Sequence, residues 1–217
     1  MTEIAVATLE EMQIVAAGHT LASAFQDDPL QSHIFPDPKE RAQKSPAQFS
    51  VLIREGFRLG EVFVTEGMAG VSVWMPPESL AALEAPTPSP FQQLPDLMGN
   101  KAFERFGRVL DYLSKAHGAD TPSEHWYLMI VGVHPQQQRR GHAQTMIKSM
   151  IARADATGLP ICLDTAQPSV RAFYEKLGFR PVIETVDPGS GLRLWTYRRD
   201  PADAASILTK SVPGPML

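Results

Sequence analysis

The chain has 217 residues, 43% of them hydrophobic and 20% charged, with a formal charge of -4 and a pI near 5.9. That length and apolar content suit one domain with a sizeable core and exclude wholesale disorder. The acidic balance argues against a general nucleic-acid binder, which needs a basic face, and a single cysteine, Cys162, excludes an internal disulfide.

Residues 4–7 predict a first strand. Thr8 with Glu11 three residues on predicts a capped helix start. Met12, Val15, Ala16, His19, Leu21, Ala22 and Phe25 supply that helix's stripe, and Asp27-Asp28-Pro29 breaks it. Residues 30–36 read as a loop whose Ile34 and Phe35 dock elsewhere, and a second helix is expected from about 47 to 59. Residues 61–65 and 70–75 predict two strands joined at Glu66-Gly67-Met68, the second ended by Pro76-Pro77. Prolines crowd residues 84–96, which lack helical or strand periodicity and predict a surface insertion, mobile or draped over a site. A helix is expected over 97–117, stopped by Gly118.

An apolar strand over 125–133 then feeds a short loop with two arginines and a glycine, and a helix over 142–157 ended by Gly158. Such a loop points several backbone N–H groups at one spot, and the helix dipole favours an anion there, such as pyrophosphate. A strand at 160–165, a helix at 169–177, and strands at 179–186 and 192–197 around a 187–191 turn complete the pattern. Early paired strands followed by alternating helices and strands predict an α/β (α+β) mixed sheet. From residue 200 the chain is small and polar and reads as a flexible tail to 217. No charged leader precedes an apolar core, and no apolar run approaches membrane-spanning length, so a cytoplasmic protein without a membrane partner is expected.

Two segments carry a family resemblance. Gln138-Arg139-Arg140-Gly141-His142-Ala143 fits the Gln/Arg-x-x-Gly-x-Gly/Ala signature of the GCN5-related N-acetyltransferases, and Phe173-Tyr174-Glu175-Lys176-Leu177-Gly178-Phe179 resembles that family's helix-ending segment. Within the family the chain most resembles the puromycin N-acetyltransferase-like members, through Trp74-Met75-Pro76-Pro77-Glu78, His125-Trp126-Tyr127-Leu128 and Leu163-Asp164-Thr165-Ala166. The strong resemblance covers residues 123–199 and is weak over the first half.

The resemblance implies one acetyltransferase domain over 1–199, a mainly antiparallel twisted sheet with splayed central strands, and acetyl-CoA as co-substrate. It places the pyrophosphate on Gln138, Arg139, Arg140, Gly141, His142, Ala143 and Gln144, mostly through backbone N–H groups, with the His142 side chain pointing outward. It places the pantetheine arm along Val131, Gly132 and Val133, with the Val133 N–H as donor to the thioester carbonyl. Gly132 reads either as a bulge and close approach or as room for a core side chain. Tyr174 is implied as the acid that protonates the leaving thiolate. Gln167 and Val170 stand where the family often carries asparagines, and Gln167 is kept as a cofactor contact. Asp164, a charge in an apolar strand, is the first candidate for base or amine anchor. Glu124 acting through water is the second, and a water chain alone is the third. Phe35, Trp74 and Trp126 are expected to line an apolar acceptor pocket, and Cys162 to pack as a buried thiol. The histidines at 19, 33, 117, 125 and 134 form no metal-ligand spacing, so no metal is expected.

The activity implied is transfer of an acetyl group to a primary amine of a small molecule by direct attack in a ternary complex. The alternatives are a protein N-terminal or lysine acetyltransferase, or a non-catalytic CoA-binding module. No nucleic-acid partner is expected, and the chain reads as a monomer or homodimer.

Overall fold

The computed structural model describes residues 4–84, 88–117 and 121–202. Its order is β1 (Val6–Thr8), α1 (Ile14–Ala24), α2 (Pro29–Ile34), α3 (Pro38–Leu59), β2 (Glu61–Thr65), β3 (Gly70–Met75), α4 (Pro77–Glu84), α5 (Leu94–Met98) and α6 (Asn100–His117). Then follow β4 (Trp126–Val133), α7 (His142–Thr157), β5 (Ile161–Thr165), α8 (Arg171–Lys176), β6 (Arg180–Val186) and β7 (Arg193–Arg199). The strands form one sheet in the order β1-β2-β3-β4-β5-β7-β6. Every neighbouring pair is antiparallel except β4 and β5, which run parallel. The mixed, mainly antiparallel sheet is thus as the sequence predicts.

Helices cover both faces. On one, Leu21, Ile34, Phe35, Phe49 and Ile53 pack on Val71, Val73 and Ile130. On the other, Ile147, Met150 and Ala154 of α7 pack with Trp74, Trp126, Leu128, Leu163 and Tyr197. The helix over 142–157 falls where its glycines put it. Gly141 (φ +100) opens it and Gly158 (φ +71) closes it, both in left-handed geometry that glycine adopts without a Cβ penalty.

The first half departs from expectation at prolines. Residues 29–34, read as loop, are helix α2. The Asp28 carboxylate caps it by accepting from the N–H groups of Leu30 (2.9 Å) and Gln31 (3.2 Å), and Pro29 occupies the first turn, where its missing N–H costs nothing. α3 begins at Pro38 rather than near 47 and runs through Pro46. Packing offsets the lost hydrogen bond there: α1 lies so close that a Cβ on Gly18 would sit 2.8 Å from the Pro46 carbonyl.

The proline-rich stretch 84–96 also needs correction. Residues 85–87 lie outside the described residues. Beyond them Ser89 caps a 3-10 turn (Pro90–Gln93) that leads into α5, and Leu94 is 1% exposed in the core beside α3. Pro90 and Pro95 start turns instead of disrupting them. The helix expected over 97–117 breaks at Gly99 (φ +82) into α5 and α6. Gly118 lies outside the described residues. Of the tail, residues 203–217 lie outside them too. Its first part is pinned, since the Ala202 N–H donates to Asp155 of α7 at 2.8 Å.

Candidate active site

β4 and β5 pair only over Trp126–Leu128, against Ile161–Leu163. Beyond that, β5 continues beside β7 and the two parallel strands separate. β4 also carries a bulge: Val73 faces Ile130 and Trp74 faces Leu128, so Met129 has no partner on β3. The extra residue flips the alternation. Leu128 packs on the α7 side, whereas Ile130 packs on the α1 side.

After the bulge one edge of β4 stays open. The His134 N–H donates to the Ala69 carbonyl at 2.9 Å, so His134 faces β3. Alternation turns Gly132 and Ile130 the same way and leaves the N–H and C=O groups of Val131 and Val133 on the open edge. Gln138 agrees with this, its Nε2 donating to the Val133 carbonyl at 3.2 Å.

Gly132 is not the bulge and does not offer its N–H to the open edge. A Cβ there would lie 2.7 Å from Leu21 Cδ2 and 3.0 Å from both Ala24 Cβ and Phe25 Cε2. The residue is glycine because α1 needs that space.

The open edge leads into the arginine-glycine loop. Arg139 (φ +62) and Gly141 (φ +100) are both left-handed, which folds successive N–H groups into a concavity. The Thr145 N–H donates to the Gly141 carbonyl at 2.9 Å. The N–H groups of His142, Ala143 and Gln144 precede any intrahelical partner, and no side chain caps them. Arg139 and Arg140 are exposed beside them. His142 does not point outward: its Nδ1 lies 2.9 Å from the hydroxyl of the buried Thr65, so the first turn of α7 is seated on β2.

Tyr174 reaches the same region from α8, its ring packed against Phe173, Phe179 and Tyr197 at centroid distances of 5.4, 5.9 and 5.9 Å. Its hydroxyl makes no hydrogen bond among the described residues. Burial, and then the nearby negative charge of Asp28, hold its pKa above that of an ordinary phenol. Gln167 lies half-buried in the β5–α8 connection, its N–H bonded to Thr165 Oγ1 at 3.0 Å.

Asp28, whose charge acts on Tyr174, was passed over in the sequence, because Asp-Pro was taken as a helix breaker. Its N–H donates to the Phe25 carbonyl at 3.0 Å. Since Phe25 abuts Gly132, the α1–α2 corner rests on β4 beside the open edge. Burial raises the Asp28 pKa, against the lowering effect of its two cap bonds. The signal was present: an acidic residue before proline can cap a helix, and this one is half-buried.

Asp164 leaves β5 on the face opposite Leu163 and Tyr197. It accepts from the Tyr127 hydroxyl at Oδ2 (2.9 Å) and the Thr196 hydroxyl at Oδ1 (2.6 Å). Burial first, and Asp164 second, push the neighbouring Cys162 thiol up to about 12, so it is not a thiolate at neutral pH. Glu124 lies in an exposed bend before β4, nine residues ahead of Val133. That is about 30 Å along extended chain, and the structure does not bring it to the open edge.

The aromatic acceptor pocket is not where it was expected. Phe35 and Trp74 are 0% exposed and Trp126 is 5% exposed. Phe35 packs in the α1–α3 core. Trp74 and Trp126 lie on the α7 face, where Trp74 Nε1 donates to Ser72 (3.0 Å) and the Arg153 guanidinium sits 4.7 Å from the Trp126 ring. Tryptophans are the largest side chains available to fill that core. Among the described residues no group of three His, Cys, Asp or Glu could hold a metal, and no helix is long and apolar enough to cross a membrane.

A family model described as an acetyltransferase (GNAT) domain matches residues 103–181. An uncharacterized N-acetyltransferase of Schizosaccharomyces pombe is 30% identical over 172 residues, covering 75% of this chain and 69% of that relative. The chain belongs to the GCN5-related N-acetyltransferase family. Solved structures with the same fold include a Corynebacterium glutamicum protein named as histone acetyltransferase HPA2 and related acetyltransferase. It has a TM-score of 0.67 at 21% identity, over 93% of this chain and 98% of that one. An arylalkylamine N-acetyltransferase of Aedes aegypti gives 0.59 at 13% identity over 92% and 99%. A polyamine N-acetyltransferase of Drosophila melanogaster gives 0.59 at 16% identity over 91% and 100%. The family match spans both segments that the sequence resemblance singled out, Gln138–Ala143 and Phe173–Phe179.

Proposed function

We propose that this N-acetyltransferase moves an acetyl group from acetyl-CoA to a primary amine of a small molecule, by direct attack while both are bound. The observation that carries the reading is a pair of backbone stretches whose N–H groups face away from their own elements. They are the open edge at Val131 and Val133 and the uncapped N–H groups of His142, Ala143 and Gln144. A long ligand with an amide-bearing arm and a pyrophosphate fits the pair, the arm pairing like a strand and the anion resting at the helix end.

Bound acetyl-CoA supplies an activated acetyl thioester. Arg139 and Arg140 add charge to the anion site, Gln138 and Gly141 shape it, and Gln167 offers an amide contact from the opposite wall. The Val133 N–H donates where negative charge grows on a carbonyl oxygen. Tyr174, kept protonated by burial, holds a proton for the departing sulfur. Asp164 contributes a carboxylate to the acceptor side of the sheet.

A small acceptor is favoured because α6 roofs that side. Arg105 Nε donates to the Ile34 carbonyl of α2 (2.9 Å), the Tyr112 hydroxyl lies 2.6 Å from Thr185 Oγ1 of β6, and Val109 and Leu113 pack with Leu194. An extended peptide needs an open groove there. The Aedes and Drosophila neighbours are named for small amines, which makes aryl- and polyamines the first acceptors to try, with aminonucleosides beside them.

Calorimetric titration with acetyl-CoA and free CoA tests the reading. Wild type is expected to bind both in the micromolar range, and Arg139→Glu/Arg140→Glu to lose at least tenfold in affinity. Absence of binding to the wild-type protein would remove the assignment of acetyl-CoA to this chain.

A further inference from the structure

An amine reaches a neutral-pH enzyme mainly as its ammonium, which has no lone pair to attack with until one proton leaves. This inference rests on the N-acetyltransferase reading and concerns the group that receives that proton. Two carboxylates stand on the acceptor side, and they differ in what they have left to offer.

Both oxygens of Asp164 already accept hydroxyl hydrogens, from Tyr127 and Thr196. Asp28 differs. Its Oδ1 takes both cap N–H groups, from Leu30 and Gln31, and its Oδ2 makes no hydrogen bond among the described residues. The cap bonds fix the orientation of the carboxylate while leaving that oxygen to a ligand. The position is also suited. The corner that carries Asp28 rests through Phe25 on Gly132, next to the open edge of β4, and the charge of Asp28 is felt at Tyr174. Tyr174 comes to the gap from α8 and Asp28 from the α1–α2 corner.

We propose that Asp28 is the catalytic carboxylate that receives the acceptor's ammonium and takes one of its protons. An N–H bond breaks and an O–H bond forms at Oδ2. The electron pair stays on nitrogen, and the proton passes on to water. Burial makes Asp28 more basic than an ordinary aspartate, which suits the task. Among the described residues, the charged and titratable groups near α2 include Tyr174 from α8, Arg41 from α3, Arg105 from α6, Asp187 from the β6–β7 turn, and His33 on α2 itself. Arg41 and Arg105 donate to the Phe35 and Ile34 carbonyls at the far end of the helix.

Asp28→Asn and Asp28→Ser test this, because both residues cap helices about as well as aspartate but neither takes a proton. The assay is kcat/KM across pH with the best acceptor from a panel of tyramine, agmatine and puromycin. Both variants are expected to bind acetyl-CoA as wild type does and to lose at least about 100-fold in kcat/KM at pH 7. Their remaining rate should climb about tenfold per pH unit toward the acceptor's own pKa, where wild type is flat above the titration of a carboxylate. Variants within threefold of wild type would overturn the proposal, as would loss on Asp164→Asn with both Asp28 variants active. Should the variants fail to fold, the wild-type profile decides: a rise that follows only the amine's pKa overturns the proposal. A wild-type protein that binds acetyl-CoA but acetylates none of the panel would remove the parent reading, and this inference with it.

Discussion

Tyr174 combines two properties that an acid for a thiolate needs: a hydroxyl without a hydrogen-bond partner among the described residues, and a pKa lifted by burial so that the proton is still present at neutral pH. Removing only the oxygen keeps the ring among Phe173, Phe179 and Tyr197. Tyr174→Phe is therefore expected to lower kcat by tenfold or more with unchanged acetyl-CoA affinity, read by steady-state rates beside calorimetry. Equal loss in both would mean a packing role. Cys162 marks the contrast, since a thiol pushed up to about 12 has no nucleophilic form at neutral pH. Candidate roles for single residues were legible where a motif names them, at Tyr174 and the arginine-glycine loop. They were not legible where a fold decides them. His142 turns inward because Thr65, 77 residues away, waits for its imidazole. Trp74 and Trp126 belong to the core because α7 lies over them.

At the scale of elements, the contact between α1 and β4 sets the geometry of the gap. Gly132→Val puts a branched side chain where even a Cβ meets Leu21 at 2.7 Å. Overpacking of this kind costs about 1–3 kcal/mol, so a thermal melt should show a Tm several degrees below wild type. Turnover should also fall, because α1 carries the Phe25–Asp28 corner. An unchanged melt would mean that α1 is not seated as described. Helix α7 was predicted to its last residue, since a glycine marks each end and its periodicity is undisturbed. α2 and the start of α3 were missed for a shared reason: Asp-Pro serves equally as a helix stop and a helix start, and only the packed partner decides which. The bulge at Met129 is invisible in an unbroken apolar run, because alternation cannot be read where both faces are buried.

For the whole molecule, acid is the informative stress. Asp155, Asp187 and Asp200 all lie below the usual aspartate pKa of 3.8. In each, burial pushes the value up and is outweighed. Arg199 and the Ala202 N–H do this for Asp155, Ser190 and Gly189 for Asp187, and Arg198 and Arg180 for Asp200. A carboxylate with a depressed folded pKa adds stability above its unfolded pKa and loses it as pH falls through the folded value. The Tm is therefore expected to hold from pH 7 to about 5 and to fall steeply below about 4. Asp155→Asn should blunt that fall, and a melt that is flat to pH 3 would contradict it. Asp28 runs the other way: its folded pKa is raised, so protonation favours the folded state and offsets a little of the loss.

What the sequence by itself determined is local: the strands and helices of the second half, the mixed sheet, and the glycine-marked loop that opens α7. Glycine geometry, caps and periodicity act over a few residues, and these features are written within such spans. Only the tertiary structure decided which way residues face and which distant residues meet. One extra residue at Met129 reverses the faces of β4. α1 occupies the space above Gly132 and sets the α1–α2 corner on β4, with Asp28 close enough for its charge to act on Tyr174. Such contacts join parts of the chain more than a hundred residues apart, and no local preference encodes them.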